Sequence, residues 1–234
     1  YMINNNIGYI KINRFSATTF DEFQIAAKKL LKQGMQKLVL DLRGNPGGYL
    51  GAAINISNAF LDADKLIVYT QGRDGDKDEY YSNRDGLLIQ TEVVVILDEG
   101  SASASEIVSG ALQDNDRGTI VGRRSFGKGL VQEQFEHIDG SAYRITTSRY
   151  YTPTGRCIQR PYEKGKENDY QDDIYARYDN GELLSEDSIN LIDSLKFITQ
   201  GGKVVYGRGG IMPDVFIPID TSVFHSSIKT FLNF

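Results

Sequence analysis

Two short stretches of this chain hold residue types that could do covalent chemistry. Gly100-Ser101-Ala102-Ser103-Ala104-Ser105-Glu106 sets hydroxyls among small residues, and Ser125-Phe126-Gly127-Lys128-Gly129 sets one amine between glycines. A serine hydroxyl is a poor nucleophile at neutral pH unless a neighbouring base takes its proton during attack. Lysine can be that base only when neutral. Its amine titrates near ~10.4 in water, so reaching roughly 7 or 8 requires about 3 units, or ~4 kcal/mol, of desolvation or like-charge pressure. Gly127 and Gly129 remove side chains on either side of Lys128, which lets the backbone turn tightly and other elements close over the amine. The pair points to acyl transfer, with Ser103 attacking and Lys128 accepting its proton.

The elements that must position these residues are legible nearby. Val93-Val94-Val95-Ile96-Leu97 reads as a buried parallel strand, and Ile107, Val108, Ala111 and Leu112 have helical spacing. Ser103 therefore falls at a strand-to-helix junction. The first amides of the helix lack intrahelical partners there, and the helix dipole adds partial positive charge, so the Ala104 amide is a natural oxyanion donor. The same serines also read as plain N-cap residues, with Glu106 completing a capping box. A third stretch, Asp41-Leu42-Arg43-Gly44-Asn45-Pro46-Gly47-Gly48, follows the apolar strand Lys37 to Leu42 and exposes amides without side-chain obstruction. Losing one preorganised oxyanion donor typically costs ~10²- to 10³-fold in rate. Read from its residues alone, that stretch is more readily a plain glycine-rich turn.

Together these segments resemble the signatures of the C-terminal processing peptidases, also called tail-specific proteases. The resemblance implies that the middle serine of Ser-Ala-Ser-Ala-Ser-Glu, Ser103, is the nucleophile, and that the lysine of Phe-Gly-Lys-Gly, Lys128, 25 positions later, is the general base. It implies that Gln132, in Gly-Lys-Gly-Leu-Val-Gln, holds the lysine amine. It also implies that Gly47, with Gly48 next in line, supplies an oxyanion amide beside that of Ala104. Tyr150 to Gln159 and Gly210 to Asp214 resemble further family landmarks that shape the site, so the likeness runs from about Gly8 to Pro218. Cys157 departs from the pattern, standing where a serine or another small residue is expected, and residues 162–194 match no motif. The resemblance implies a crotonase/Clp-protease-like repeated ββα core. It also implies cleavage of protein substrates with unfolded tails near their carboxyl termini, in a periplasmic or other extracytoplasmic setting, with homo-oligomerisation possible. Family members usually carry a PDZ domain, and no such segment is visible; Tyr1 to Asn6 is too short to hold one. The expectation is a catalytic core over residues 1–234 taken from a longer protein.

Composition sets outer bounds. With 234 residues and 40% hydrophobic content, the chain can bury a substantial core. A formal net charge of −5 with scattered lysines and arginines argues against a nucleic-acid surface. No apolar run approaches the ~20 residues that span a bilayer. One cysteine leaves no internal disulfide, the two histidines lie far apart, and no metal or other cofactor is expected. Cys157 reads as a small semi-buried residue and His137 as a solvated residue at a hairpin tip.

The coarse pattern alternates strands and helices: strand 7–12, helix 19–33, strand 37–42, helix 50–60, strand 66–69, strand 93–97, helix 106–113, strand 119–122. That repetition predicts a mainly parallel sheet with covering helices. After Lys128 the texture changes to alternating strands, 130–135 and 142–150, joined by Asp139-Gly140-Ser141, a hairpin expected to pair with the sheet. Residues 74–85 read as an exposed loop or short hairpin, and 162–194 as an insertion or mobile segment. Two rival functions share this architecture. A lipid- or retinoid-binding module would lack the lysine base, and a crotonase-like acyl-coenzyme A enzyme would use carboxylates where this chain has serine and lysine.

Overall fold

A computed structural model describes residues 1–84, 86–161, 167–207 and 209–221, and the side chains among these except 167–171. In chain order the elements are β1 (Ile7–Lys11), α1 (Thr19–Lys32), β2 (Lys37–Asp41), α2 (Leu50–Asn58), β3 (Leu66–Gly72) and β4 (Lys77–Tyr81). There follow β5 (Glu92–Leu97), α3 (Ala104–Asp114), β6 (Gly118–Gly122), β7 (Leu130–Glu136), β8 (Ala142–Tyr151) and α4 (Glu167–Asp179). Two short 3-10 turns precede β9 (Lys196–Ile198), β10 (Val204–Tyr206) and β11 (Val215–Phe216).

Five strands form a parallel sheet in the order β1-β2-β5-β6-β11. Its register sets Leu38 beside Val93 and Leu40 beside Val95, so apolar side chains share one face. β5 shows why: Val93, Val95 and Leu97 are buried in alternation. Helix α1 buries Phe23, Ala27 and Leu30, a stripe at helical spacing, and ends at Gly34, whose φ of +92° favours glycine. Its N-cap is Thr18, whose hydroxyl donates to Glu22 Oε1 at 2.7 Å, while Thr19 Oγ1 accepts from the Ser16 amide. The capping box that Thr19-Phe20-Asp21-Glu22 suggests does not form: Thr18 is the N-cap, its side chain caps no backbone amide, and Glu22 bonds the Thr18 hydroxyl instead. Every residue of α3 is buried, because this helix packs against α2, β3 and β6 at once.

One expectation changes. Strands β3, β7 and β8 do not extend the parallel sheet; they form a separate antiparallel sheet, β4-β3-β8-β7. β3 runs opposite to both β4 and β8, and the 74–85 region is the β3–β4 hairpin with its second strand at β4. The physical reason lies in the connections: tight turns join β3 to β4 and β7 to β8, and a short turn can join only antiparallel neighbours. A short hairpin, β9–β10, completes the sheets. Within 162–194, residues 162–166 lie outside the described residues, while α4 is tied to residues 124–126 through Arg177, and the turn after it is tied to the chain's later part by the Ile219 amide, which donates to Leu183 O at 2.9 Å.

Candidate active site

The carboxyl ends of the parallel strands β2 and β5 carry two loops that are tied together by hydrogen bonds. Asp98, just after β5, accepts from the amides of Gly44 (2.8 Å) and Gly100 (3.0 Å), and the Ser101 hydroxyl donates to Leu42 O at 2.9 Å. Ser103 ends the second loop with φ +54° and ψ −109°. A non-glycine residue in that region is strained, and such strain persists only where surrounding structure over-determines it. Ala104 then opens α3, so its amide has no intrahelical partner. Ser103 thus sits at the strand-to-helix junction that its sequence context predicts.

The β2 loop touches this junction directly. Gly47 has φ +92°, and a Cβ there would lie 2.6 Å from Ala102 O, 2.7 Å from Ser103 Cβ and 2.8 Å from Ala104 N. Only a glycine permits that approach. Buried Asn45 stitches the two loops: its carbonyl accepts from the Ala102 amide (2.9 Å) and the Ser105 hydroxyl (3.1 Å), and its Nδ2 donates to Ile12 O (2.7 Å). Asn45 Oδ1 accepts from the Gly47 amide at 2.9 Å, so that amide is already engaged. Gly48, at φ +145°, presses against Phe15, and its amide has no hydrogen-bond partner among the described residues.

Lys128 lies on the irregular segment between β6 and β7 and is half-buried. Its flanking glycines are required by close backbone approach. A Cβ on Gly127, which has φ +86°, would come within 2.9 Å of Gly209 C, and one on Gly129 within 2.5 Å of Gln159 N. Among the described residues the Lys128 amine makes no hydrogen bond or ion pair. Gln132 is exposed on β7, opposite Thr146 and next to a register shift, and its side chain makes no hydrogen bond to Lys128 among the described residues.

The Ser103 and Lys128 segments meet on Glu106, which is completely buried. Its Oε2 accepts from the amides of Ser103 (2.7 Å) and Lys128 (2.9 Å). Its Oε1 accepts from the Ser125 hydroxyl and the Gly127 amide, each at 2.6 Å. Burial pushes the Glu106 carboxyl above its ordinary pKa, and the four donors pull it back toward the charged form. Capping alone accounts for one of these four bonds. The other three come from the lysine segment, about twenty positions away, and the sequence signal for them is an acid placed among apolar helical residues.

The flanking landmarks pack where the lysine segment needs support. The Ile211 amide donates to Ser125 Oγ at 2.6 Å, and Gly210, at φ +98°, lies against Ser125 O. Arg156, 1% exposed, pairs with buried Asp114 and donates to Gln113 Oε1 at 2.9 Å, anchoring the turn after β8 to the end of α3. Cys157 lies in that turn, and burial pushes its thiol upward, away from the reactive thiolate. His137 is exposed at the β7–β8 tip against Tyr143.

Comparison with known proteins bears on this geometry. Residues 6–171 match Peptidase family S41. The chain is 43% identical over 155 residues to a carboxyl-terminal-processing protease of Synechocystis sp., covering 66% of this chain and 36% of that one. It is 38% identical over 173 residues to carboxy-terminal processing protease CtpA of Bacillus subtilis, covering 72% and 37%. Among solved structures, the photosystem II D1 C-terminal processing protease aligns with a TM-score of 0.65 at 30% identity, over 91% of this chain and 42% of that chain. The chain thus spans little more than a third of the length of these curated relatives. With a match over more than half of its residues, the chain belongs to peptidase family S41.

Proposed function

We propose that this chain is the catalytic core of a serine endopeptidase that cleaves protein substrates near their carboxyl termini through an acyl-enzyme. The observation that carries the reading is the shared Glu106 oxygen, which ties the Ser103 and Lys128 backbones to one point. Ser103 Oγ attacks the scissile carbonyl, and the neutral Lys128 amine takes its proton and returns it to the leaving amine. Water then attacks the ester, with Lys128 again as base, and frees Ser103. The Ala104 amide and an amide of the Gly47-Gly48 turn hold the oxyanion; because Gly47 N is engaged by Asn45 Oδ1, the Gly48 amide is the readier donor. Gln132 orients the lysine amine once substrate is bound.

β7 begins two residues after Lys128 and is an edge strand of the antiparallel sheet, so an extended substrate tail laid along it would gain main-chain hydrogen bonds beside the reacting groups. The names of the relatives support carboxyl-terminal processing; a PDZ domain and an extracytoplasmic setting, which the family resemblance implies, would fit the same role.

The test is cleavage of a loosely folded protein with an apolar carboxyl terminus, with products read by mass, by the chain and by Ser103→Ala, Lys128→Ala and Gln132→Ala. The dyad predicts loss of cleavage in the first two and about a tenfold lower kcat in the third. Retained cleavage in Lys128→Ala removes the lysine from the mechanism. If the chain itself is inactive, joining it to a PDZ domain of the kind proposed should restore cleavage that depends on Ser103; failure there favours a binding module of the same fold.

A further inference from the structure

The segment from Arg123 to Gly129 has no regular secondary structure, yet its backbone polar groups are nearly all engaged. On the amide side, Gly127 and Lys128 donate to Glu106, Gly129 donates to Gln159 Oε1 at 3.0 Å, and Ser125 donates to Ile211 O at 3.1 Å. The carbonyl side is held by a second buried ion. Arg177, 1% exposed and in the last turn of α4, donates from Nη1 to Ser125 O (2.8 Å) and Arg124 O (3.3 Å) and from Nη2 to Phe126 O (3.3 Å). A buried carboxylate therefore gathers two amides of this segment and a buried guanidinium gathers three of its carbonyls. A guanidinium suits that task because its donors form a rigid planar fork.

Among the described residues one ion pair holds the cation directly, and two more brace its neighbours. Asp173, one helical turn back on α4, pairs with Arg177 Nε at 2.8 Å and with Arg160 Nη1 at 2.8 Å. Arg124 is itself held by Glu182 through two bonds, at 2.5 and 2.8 Å. Burial, with Arg124 and Arg160 adding to it, lowers the Arg177 pKa to about 10, so the guanidinium is charged near neutrality. Arg177 and Glu182 lie beyond residues 6–171, the stretch that matches the family, in a region whose sequence carries no recognisable motif.

We propose that Arg177 is a positioning residue for Lys128: it clamps the carbonyls of residues 124–126 and, with Glu106 on the opposite side, holds the lysine segment in the arrangement that proton transfer requires. The proposal rests on Lys128 being the base. It gives the 167–188 region a defined role, that of a latch on the base, whose release would loosen the lysine without touching Ser103.

The experiment combines hydrogen exchange with kinetics on the intact chain. In Arg177→Met, amides of a peptide spanning 124–130 should exchange at least about tenfold faster, while peptides from β5 and α3 keep their rates. On the tail substrate, kcat should fall about tenfold to hundredfold with KM within about twofold, and Arg177→Lys should recover part of the loss. Wild-type exchange and kcat in Arg177→Met overturn the proposal, as does exchange that rises equally in β5, which marks general destabilisation. If Arg177→Met does not fold, Asp173→Asn supplies the same comparison, with a smaller change in the same direction expected and none overturning the idea. Lys128→Ala in parallel separates the two readings. Cleavage retained there defeats the base assignment, whereas cleavage lost there with Arg177→Met unaltered defeats the latch alone.

Discussion

The backbone amides of Ser103 and Lys128 donate to the same oxygen, Glu106 Oε2, at 2.7 and 2.9 Å, although 24 residues separate them in the chain. That shared acceptor bounds the distance between the two backbone nitrogens by the lengths of two hydrogen bonds. The backbones of the residue proposed as nucleophile and the one proposed as base are thereby anchored to a single buried carboxylate.

Glu106→Gln should be far more damaging than its small change in shape suggests. The new amide nitrogen would face two donors, and the buried charge they solvate would be gone. We expect a loss of about 3 kcal/mol in unfolding free energy and at least about a hundredfold loss in kcat. Urea unfolding and steady-state kinetics read the two effects; near-wild-type values in both would show that the carboxylate is only a helix cap.

Gly47→Ala and Gly44→Ala form a matched pair, since both glycines have positive φ, +92° and +66°. A Cβ at position 47 meets Ala102, Ser103 and Ala104, whereas nothing lies within 4 Å of one at position 44. Each substitution should cost about 1 kcal/mol of backbone conformational energy. Only Gly47→Ala should also lower kcat, by about a hundredfold or more. Equal activity in the two variants would remove the Gly47 contact from the catalytic argument.

Asp41 makes part of the acid limb of stability. Its burial raises its pKa, but Arg43, the Tyr9 hydroxyl at 2.6 Å and the Arg43 amide outweigh that and bring it from 3.8 to about 2. A carboxylate whose folded pKa is depressed contributes stability that is fully present above its unfolded pKa and is lost as pH falls through the folded one. The contribution should therefore fade between about pH 4 and pH 2. Asp41→Asn should flatten that part of a stability profile taken by denaturant titration; an unchanged slope would refute the assignment.

Arg156→Met should strand Asp114, which is buried and, among the described residues, otherwise accepts only from Thr154, through its amide (3.0 Å) and hydroxyl (2.7 Å). Leaving a buried carboxylate without its cation typically costs 3–5 kcal/mol. The double variant Arg156→Met/Asp114→Leu should regain much of that loss. A thermal-shift series in which the double variant is no better than the single one would point to lost packing instead.

The residues proposed to react stand out in the sequence because their settings are local. Ser103 among small residues and Lys128 between glycines each lie in a few consecutive residues, and the glycine flanks proved to be demanded by contacts with Gly209 and Gln159. The parallel sheet was legible as well, since Val93, Val95 and Leu97 announce a buried strand by pattern alone. The fate of β3 was not. An apolar strand of the same texture serves either sheet, and only its pairing with β4 and β8 settled the direction.

By itself, then, the sequence determined which side chains could react, which loops had to be glycine and where the apolar strands and helices lie, because these depend on residue type and short-range periodicity. Only the tertiary structure decided that Glu106 receives donors from both segments, that Asn45 occupies the Gly47 amide and that Arg177 reaches back to carbonyls about fifty residues earlier. Those contacts join residues far apart in the chain, and a buried charge declares its partners only when folding excludes water and leaves it a fixed set of donors or acceptors.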